Sequence, residues 1–335
     1  MIFIKKTIFC IVFILFVGLS FGWSGHDAIT YYIIQDYLGL LDDKVPITEY
    51  SYGMMESRIY NENPYRSIYE DYCGKMAAPP EDERLFSPVY PNPEPKDNTV
   101  PAWQILTVYS YEPDMGMDKE LELSSYQFLT GGSQGWRHME FRILFFKLGK
   151  VTDSVEYFTE LAKKAEEKGD DYWFYRFMAR ALHYLEDSGM PYHTFPAPFV
   201  ELLKLPFNYN KWLTIFSNYH FTFDNYAGYL LWEEYEPLVN AIKVADPHKI
   251  NDPKKAASEL RKKARNKLNE VYYEMKKLMK NDLHRETVFL PDKEYFHEFR
   301  ETNNTKKLDK LTIELLKQVA SYTKGYLEYM LIKEG

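Results

Sequence analysis

Five of the eight histidines in this 335-residue chain sit at spacings that suit metal coordination. The densest run is His183-Tyr-Leu-Glu-Asp187-Ser-Gly-Met-Pro191-Tyr-His193. Residues four apart share one face of a helix, so His183 and Asp187 can point at one ion. Pro191 ends that helix and lets His193 turn back toward the same face. His220 and Asp224 repeat the four-residue spacing downstream. Imidazole nitrogen with carboxylate oxygen is a donor set suited to zinc. One such pair standing alone reads more simply as a surface helix ion pair. Here both pairs lie in apolar, aromatic sequence: Phe177 to Leu182 precede the first, and Phe216, Tyr219, Phe221 and Phe223 surround the second. Charged groups in such a stretch need partners or a metal, and with His193 the two pairs point to metal.

The chain opens on Lys5 and Lys6, an apolar run from Thr7 to Val17, and the small residues Gly18, Ser20 and Gly22. That order is a secretory signal peptide over residues 1–22, with cleavage before Trp23. The apolar run is short for a membrane-spanning helix; an uncleaved anchor is the other reading. Export makes the protein secreted or periplasmic. Cleavage would expose Trp23-Ser-Gly-His26, whose free α-amine, carbonyl oxygen and imidazole can chelate an ion. The same four residues also read as a helix start capped by Ser24.

These side chains must be held by helices. Helical periodicity runs through His26–Leu41, Trp136–Leu148, Asp153–Lys168, a segment capped by Asp170 or Asp171, Tyr209–Leu238, Pro253–Lys280 and Lys306–Lys333. The expected fold is all-α. Residues 86–135 break the pattern with Pro88, Pro91, Pro93, Pro95 and Pro101, and read as an insert or flap in which Gln104–Tyr111 looks strand-like.

The net charge of −8 becomes more negative once Lys5 and Lys6 are removed. This argues against broad, salt-driven binding to nucleic acid, though metal ions can invert the field at a local phosphate site. Of Cys10 and Cys73 only the second survives cleavage, so no intrachain disulfide forms. Aromatic residues make up 17% of the chain, which suits either bulky core and groove walls or an apolar substrate.

Trp23-x-x-His26, the His183-to-His193 run and His220-x-x-x-Asp224 together resemble the zinc-dependent phospholipase C and single-strand nuclease superfamily over about residues 23–235. The resemblance implies one multi-helix domain over 23–335 and three zinc ions. It implies a first ion on an upstream Asp, His138, His183 and one oxygen of Asp187. The second would sit on His193, His220 and Asp224. The third would take the amine and carbonyl of Trp23, His26 and the other oxygen of Asp187. The upstream residue is expected to be Asp82, in Ala77-Ala-Pro-Pro-Glu81-Asp82, with Asp114 of Glu112-Pro-Asp114-Met-Gly-Met-Asp118 as its rival. Asp187 as the bridge and Asp82 as proton acceptor are the expected catalytic carboxylates.

The implied reaction is phosphodiester hydrolysis, in which clustered zinc ions activate water and neutralise charge on the phosphate. The expected substrate is a glycerophospholipid cut to diacylglycerol and a phosphorylated head group, with transient contact with a membrane surface and no obligate protein partner. Met190-Pro-Tyr-His193, the lack of disulfides and the signal favour that branch. The short Trp23–His26 and long His193–His220 spacings favour a nuclease acting on single-stranded RNA or DNA. A non-catalytic, zinc-stabilised binding protein is a third reading. His248, His284 and His297 are expected at the surface. Arg84 and Arg137 could touch a phosphate, but a solvated side chain is the expectation for both.

Overall fold

The computed structural model describes residues 23–53, 90–91, 95–115, 118, 121–143 and 146–332. The expected signal peptide (1–22) and Asp82 lie outside the described residues. Over them the fold is all-α, as expected. In chain order the main helices are α1 (His26–Ile34), α2 (Ala102–Tyr109), α3 (Ser133–His138), α4 (Val151–Glu167), α5 (Asp171–Ser188), α6 (Pro191–Thr194), α7 (Phe199–Leu202), α8 (Tyr209–Trp232), α9 (Glu236–Lys243), α10 (Pro253–Leu283), α11 (Lys293–Thr302) and α12 (Lys306–Leu331). Two short antiparallel pairs accompany them. In one, β1 (Lys44–Pro46) pairs β2 (Thr99–Pro101); in the other, β3 (Glu140–Ile143) pairs β4 (Phe146–Gly149), with Phe141 opposite Leu148.

The central element is α5. Asp170 caps it by accepting the backbone N–H of Trp173 at 3.4 Å, which satisfies one of the orphan donors of a helix start. Every residue from Arg176 to Met190 is buried. The helix packs on α4 and α2, while α10 packs against α4, α6 and α12. A helix buried on all sides must find a partner for each charge it carries. Arg176 and Arg180 both bind the Glu112 carboxylate. The Arg176 guanidinium also lies over the rings of Tyr109 and Trp173, at 4.1 and 4.5 Å. His183, Glu186 and Asp187 remain for the site.

Two glycines let other elements approach. A Cβ at Gly189, the residue that ends α5, would lie 2.3 Å from Val319 Cγ2 of α12. A Cβ at Gly228 of α8 would lie 2.5 Å from the Ser24 carbonyl oxygen. The bare backbone of α8 therefore seats the chain beside Trp23.

The expected strand over Gln104–Tyr111 is instead α2. Its β-branched and aromatic residues match a strand, but Gln104 to Tyr109 are all buried. A short apolar run of this kind takes its form from packing rather than from periodicity. Residues 102–111 pack into the body, against α5 and α1. The helix expected over Trp136–Leu148 stops at His138, where Met139 turns extended and leads into the β3–β4 hairpin.

Candidate metal centre

Asp187 is the hub of the site. Its Oδ1 faces His193 Nδ1 at 3.1 Å and His26 Nε2 at 3.4 Å. Its Oδ2 faces His138 Nδ1 at 2.9 Å and His183 Nε2 at 3.3 Å. One carboxylate thus has two imidazoles on each oxygen, and all five side chains are fully buried. Asp114 Oδ1 lies 3.4 Å from His138 Nδ1 and 3.7 Å from His183 Nε2. A neighbouring group completes the cluster: His220 Nε2 lies 3.1 Å from Asp224 Oδ2, and the His193 and His220 rings are 5.0 Å apart and nearly perpendicular. Three sets of donor atoms converge closely enough for a metal ion: His26, Asp114 and His183; His138, His183 and Asp187; His193, His220 and Asp224.

The imidazoles are oriented from behind. His183 Nδ1 donates to the Ser110 carbonyl at 2.7 Å. That carbonyl belongs to the last turn of α2, where helix carbonyls lack intrahelical donors. The bond fixes the tautomer that turns the Nε2 lone pair of His183 toward Asp187. His26 Nδ1 donates to Glu186 Oε2 at 2.6 Å, and Thr30 donates to the other Glu186 oxygen at 3.2 Å. His138 presents Nε2 to Asp118 at 3.4 Å. Asp118 is held by Arg137 at 2.5 Å and by the Tyr184 hydroxyl. Glu186 and Asp118 were not among the expected site residues. Glu186 is hidden in sequence by its neighbour Asp187, and Asp118 lies in the turn of Asp114.

The charges around the hub shift the ionisation of its groups. Burial pulls His26 down, but the facing carboxylates of Asp187 and Glu186 outweigh it and push the imidazole up to about 10. Burial is likewise overcome at His138, which Asp118 and Asp187 raise to about 10. His183 is lowered by burial and by the charge of His26. Burial opposes ionisation of Asp187, yet the surrounding histidines hold its carboxyl well below the usual range. The pocket is short of positive charge, and protons are drawn onto His26 and His138 to supply it. A divalent cation would answer the same field, and its binding would displace those protons.

The structure brings together His26, His138, His183, Asp187, His193, His220 and Asp224, with Asp114 beside them. Trp23 is buried, and its indole N–H donates to the Glu186 carbonyl at 3.0 Å. The start of the described chain is therefore fastened to the residue before Asp187. Arg137 is not solvated as expected: it is buried, paired with Asp118 and stacked by Tyr157 and Phe158. Of the three histidines expected at the surface only His297 is exposed; His248 is half-buried and stacks on Tyr322 at 4.1 Å, and His284 is half-buried and meets the Tyr219 hydroxyl at 3.1 Å.

No family model and no curated protein matches the chain. Among solved structures it is similar to the alpha-toxin of Clostridium perfringens isolated from avian strain SWCP. The identity is 12%, the match covers 95% of this chain and 67% of that chain, and the TM-score is 0.37. A likeness this slight bears on neither activity nor substrate.

Proposed function

We propose that the chain is an exported, zinc-dependent phosphodiester hydrolase acting on glycerophospholipids. The observation that carries this reading is the buried Asp187 carboxylate with two imidazoles on each oxygen. Such a group suits a bridge between two cations, since each oxygen can serve one ion. Among the fully buried atoms, His26 Nε2 and both Asp187 oxygens make no hydrogen bond, although buried polar atoms are normally satisfied. Nitrogen and carboxylate donors in these numbers fit zinc.

Asp114, His138, His183 and Asp187 Oδ2 would hold one ion, and His193, His220 and Asp224 a second. His26, Asp187 Oδ1 and the amine and carbonyl of a processed Trp23 would hold a third. Asp114 is preferred to Asp82 because of its place beside His138 and His183. Bound zinc supplies an activated water and neutralises charge on the phosphate. Around it the chain's own groups orient and exclude. Ser110 and Glu186 would fix the two tautomers, the burial of these side chains would keep bulk water from them, and the Asp114 carboxylate would take the water's proton.

Net charge −8 supports a lipid over a long polyanion. The test is hydrolysis of bis-(p-nitrophenyl) phosphate by processed protein, with and without a chelator, beside parallel assays on phosphatidylcholine vesicles and single-stranded RNA. Zinc-dependent turnover with diacylglycerol release is expected. Turnover of RNA alone moves the substrate to nucleic acid, and no zinc-dependent turnover of any substrate overturns the enzyme reading.

A further inference from the structure

The segment after His193 has apolar residues on both of its faces. Leu202 and Leu205 are buried, as a surface helix requires. The outward positions are apolar too: Phe207 is 88% exposed, Val200 66%, Phe199 57% and Leu203 44%. Pro196, Pro198 and Pro206 stiffen the segment, so presenting these side chains costs little conformational freedom. Trp212 of α8 joins this segment to a second one. Lys204 Nζ sits 4.6 Å over its ring, and His284 packs edge-on at 6.0 Å. The loop after His284 exposes Val288 (57%) and Leu290 (41%). Exposed apolar residues on two segments that meet at Trp212 mark an interaction site.

The charge around the patch is opposite to that of the whole chain. Lys204, Lys211, Lys276, Lys280 and Arg285 stand against Glu201, Glu286 and Asp282. The Glu201 carboxylate is bound by two lysines, Lys204 at 2.5 Å and Lys276 at 2.7 Å. Glu286 is paired with Lys211, and Asp282 with Arg285. Burial and then Lys276, Lys280 and Lys204 lower the His284 imidazole, as a locally positive potential would. Basic residues with long stems around exposed Phe, Leu and Val, bordered by Trp212, are the composition of a surface that lies in a lipid interface.

We propose that residues 199–207 and 284–290 dock the protein onto an anionic lipid bilayer. The patch reaches the N-terminal end of α8. Along that helix His220 lies eight residues beyond Trp212, roughly 12 Å at the usual rise. Docking sets the His193–His220–Asp224 edge of the cluster near the headgroup layer. The role of docking rests on the lipid reading above, but the binding is measurable without turnover.

The experiment is sedimentation of the processed, zinc-loaded chain with vesicles of phosphatidylcholine alone or with about one-third phosphatidylglycerol, compared with Phe199→Ser/Phe207→Ser. Burial of an exposed phenylalanine is worth about tenfold in partition, so the double variant is expected to bind about a hundredfold more weakly. Its turnover of soluble bis-(p-nitrophenyl) phosphate should be unchanged. Lys280→Glu should weaken binding only to vesicles containing phosphatidylglycerol. The proposal is overturned if the wild type sediments with neither vesicle, or if the double variant binds as well as the wild type. It is also overturned if light scattering shows a dimer that the double variant dissolves, which assigns the face to a second copy. Vesicle binding without soluble-diester turnover would sink the hydrolase reading and leave docking standing.

Discussion

Glu186→Gln tests how the His26 corner of the centre is built. Glu186 is fully buried, accepts His26 Nδ1 at 2.6 Å and is steadied by Thr30 at 3.2 Å. Glutamine keeps the shape and still offers an oxygen to the imidazole, so the ring should stay in place. What is lost is the negative charge that makes His26 a better donor atom. Changes of this kind behind a metal-bound histidine cost about 10- to 100-fold in affinity. Zinc titration against a competing chelator should show one of the three sites weakened by that factor and the others within about twofold. At saturating zinc a hundredfold loss removes about 2.7 kcal/mol of ligand-linked stability. The chelated protein is the control. Burial raises the Glu186 carboxyl while the His26 bond opposes it, so the chelated variant measures separately what losing the buried His26–Glu186 pair costs the metal-free fold. Unchanged affinity at all three sites, or their joint loss, would refute the assignment of Glu186 to His26 alone.

Four further outcomes are expected. Asp114→Asn should lower the zinc content found by elemental analysis, and Asp82→Asn should leave it unchanged; the reverse result would transfer the ligand to Asp82. Glu112→Ala strands Arg176 and Arg180 in the core and should cost about 3–5 kcal/mol in urea unfolding, so a loss under 1 kcal/mol contradicts the pairing. One extra residue before Trp23 should remove the ion that its amine would bind, leaving two per chain by mass spectrometry under native conditions. Glu274 is buried, which raises its carboxyl, but Lys307 and Lys277 at 3.0 and 3.3 Å outweigh this and lower it. Its folded value therefore lies below the unfolded one. The stability it adds is present above the ordinary carboxylate value and is lost as pH falls through the folded value. Both lysines are largely exposed, so Glu274→Gln should remove no more than about 1 kcal/mol of that acid-sensitive stability, measured by melts across pH.

The parts of the site legible in sequence are those fixed by local geometry. A four-residue spacing puts His183 with Asp187, and His220 with Asp224, on one helix face whatever the rest of the fold does. The start of α5 is legible to one residue for the same reason, at Asp170 or Asp171, and Asp170 is the cap. The spacing does not say what stands behind each side chain. Glu186 lies on the same helix as Asp187, about 100° around it, and its role depends on α1 crossing at Thr30 and His26. Asp118 acquires its place only when α3 brings His138 and Arg137 beside it. Residues 102–111 mislead because their side chains suit a strand, while their environment, buried against α5 and α1, decides for a helix. That misreading has a chemical consequence, since the carbonyl that orients His183 comes from Ser110, at the end of that helix. The His183–Asp187 face of α5 and the helix that fixes the His183 tautomer are thus specified by different kinds of information, one periodic and one tertiary. A substitution in α2 that preserves every ligand should therefore still be able to disorder the centre.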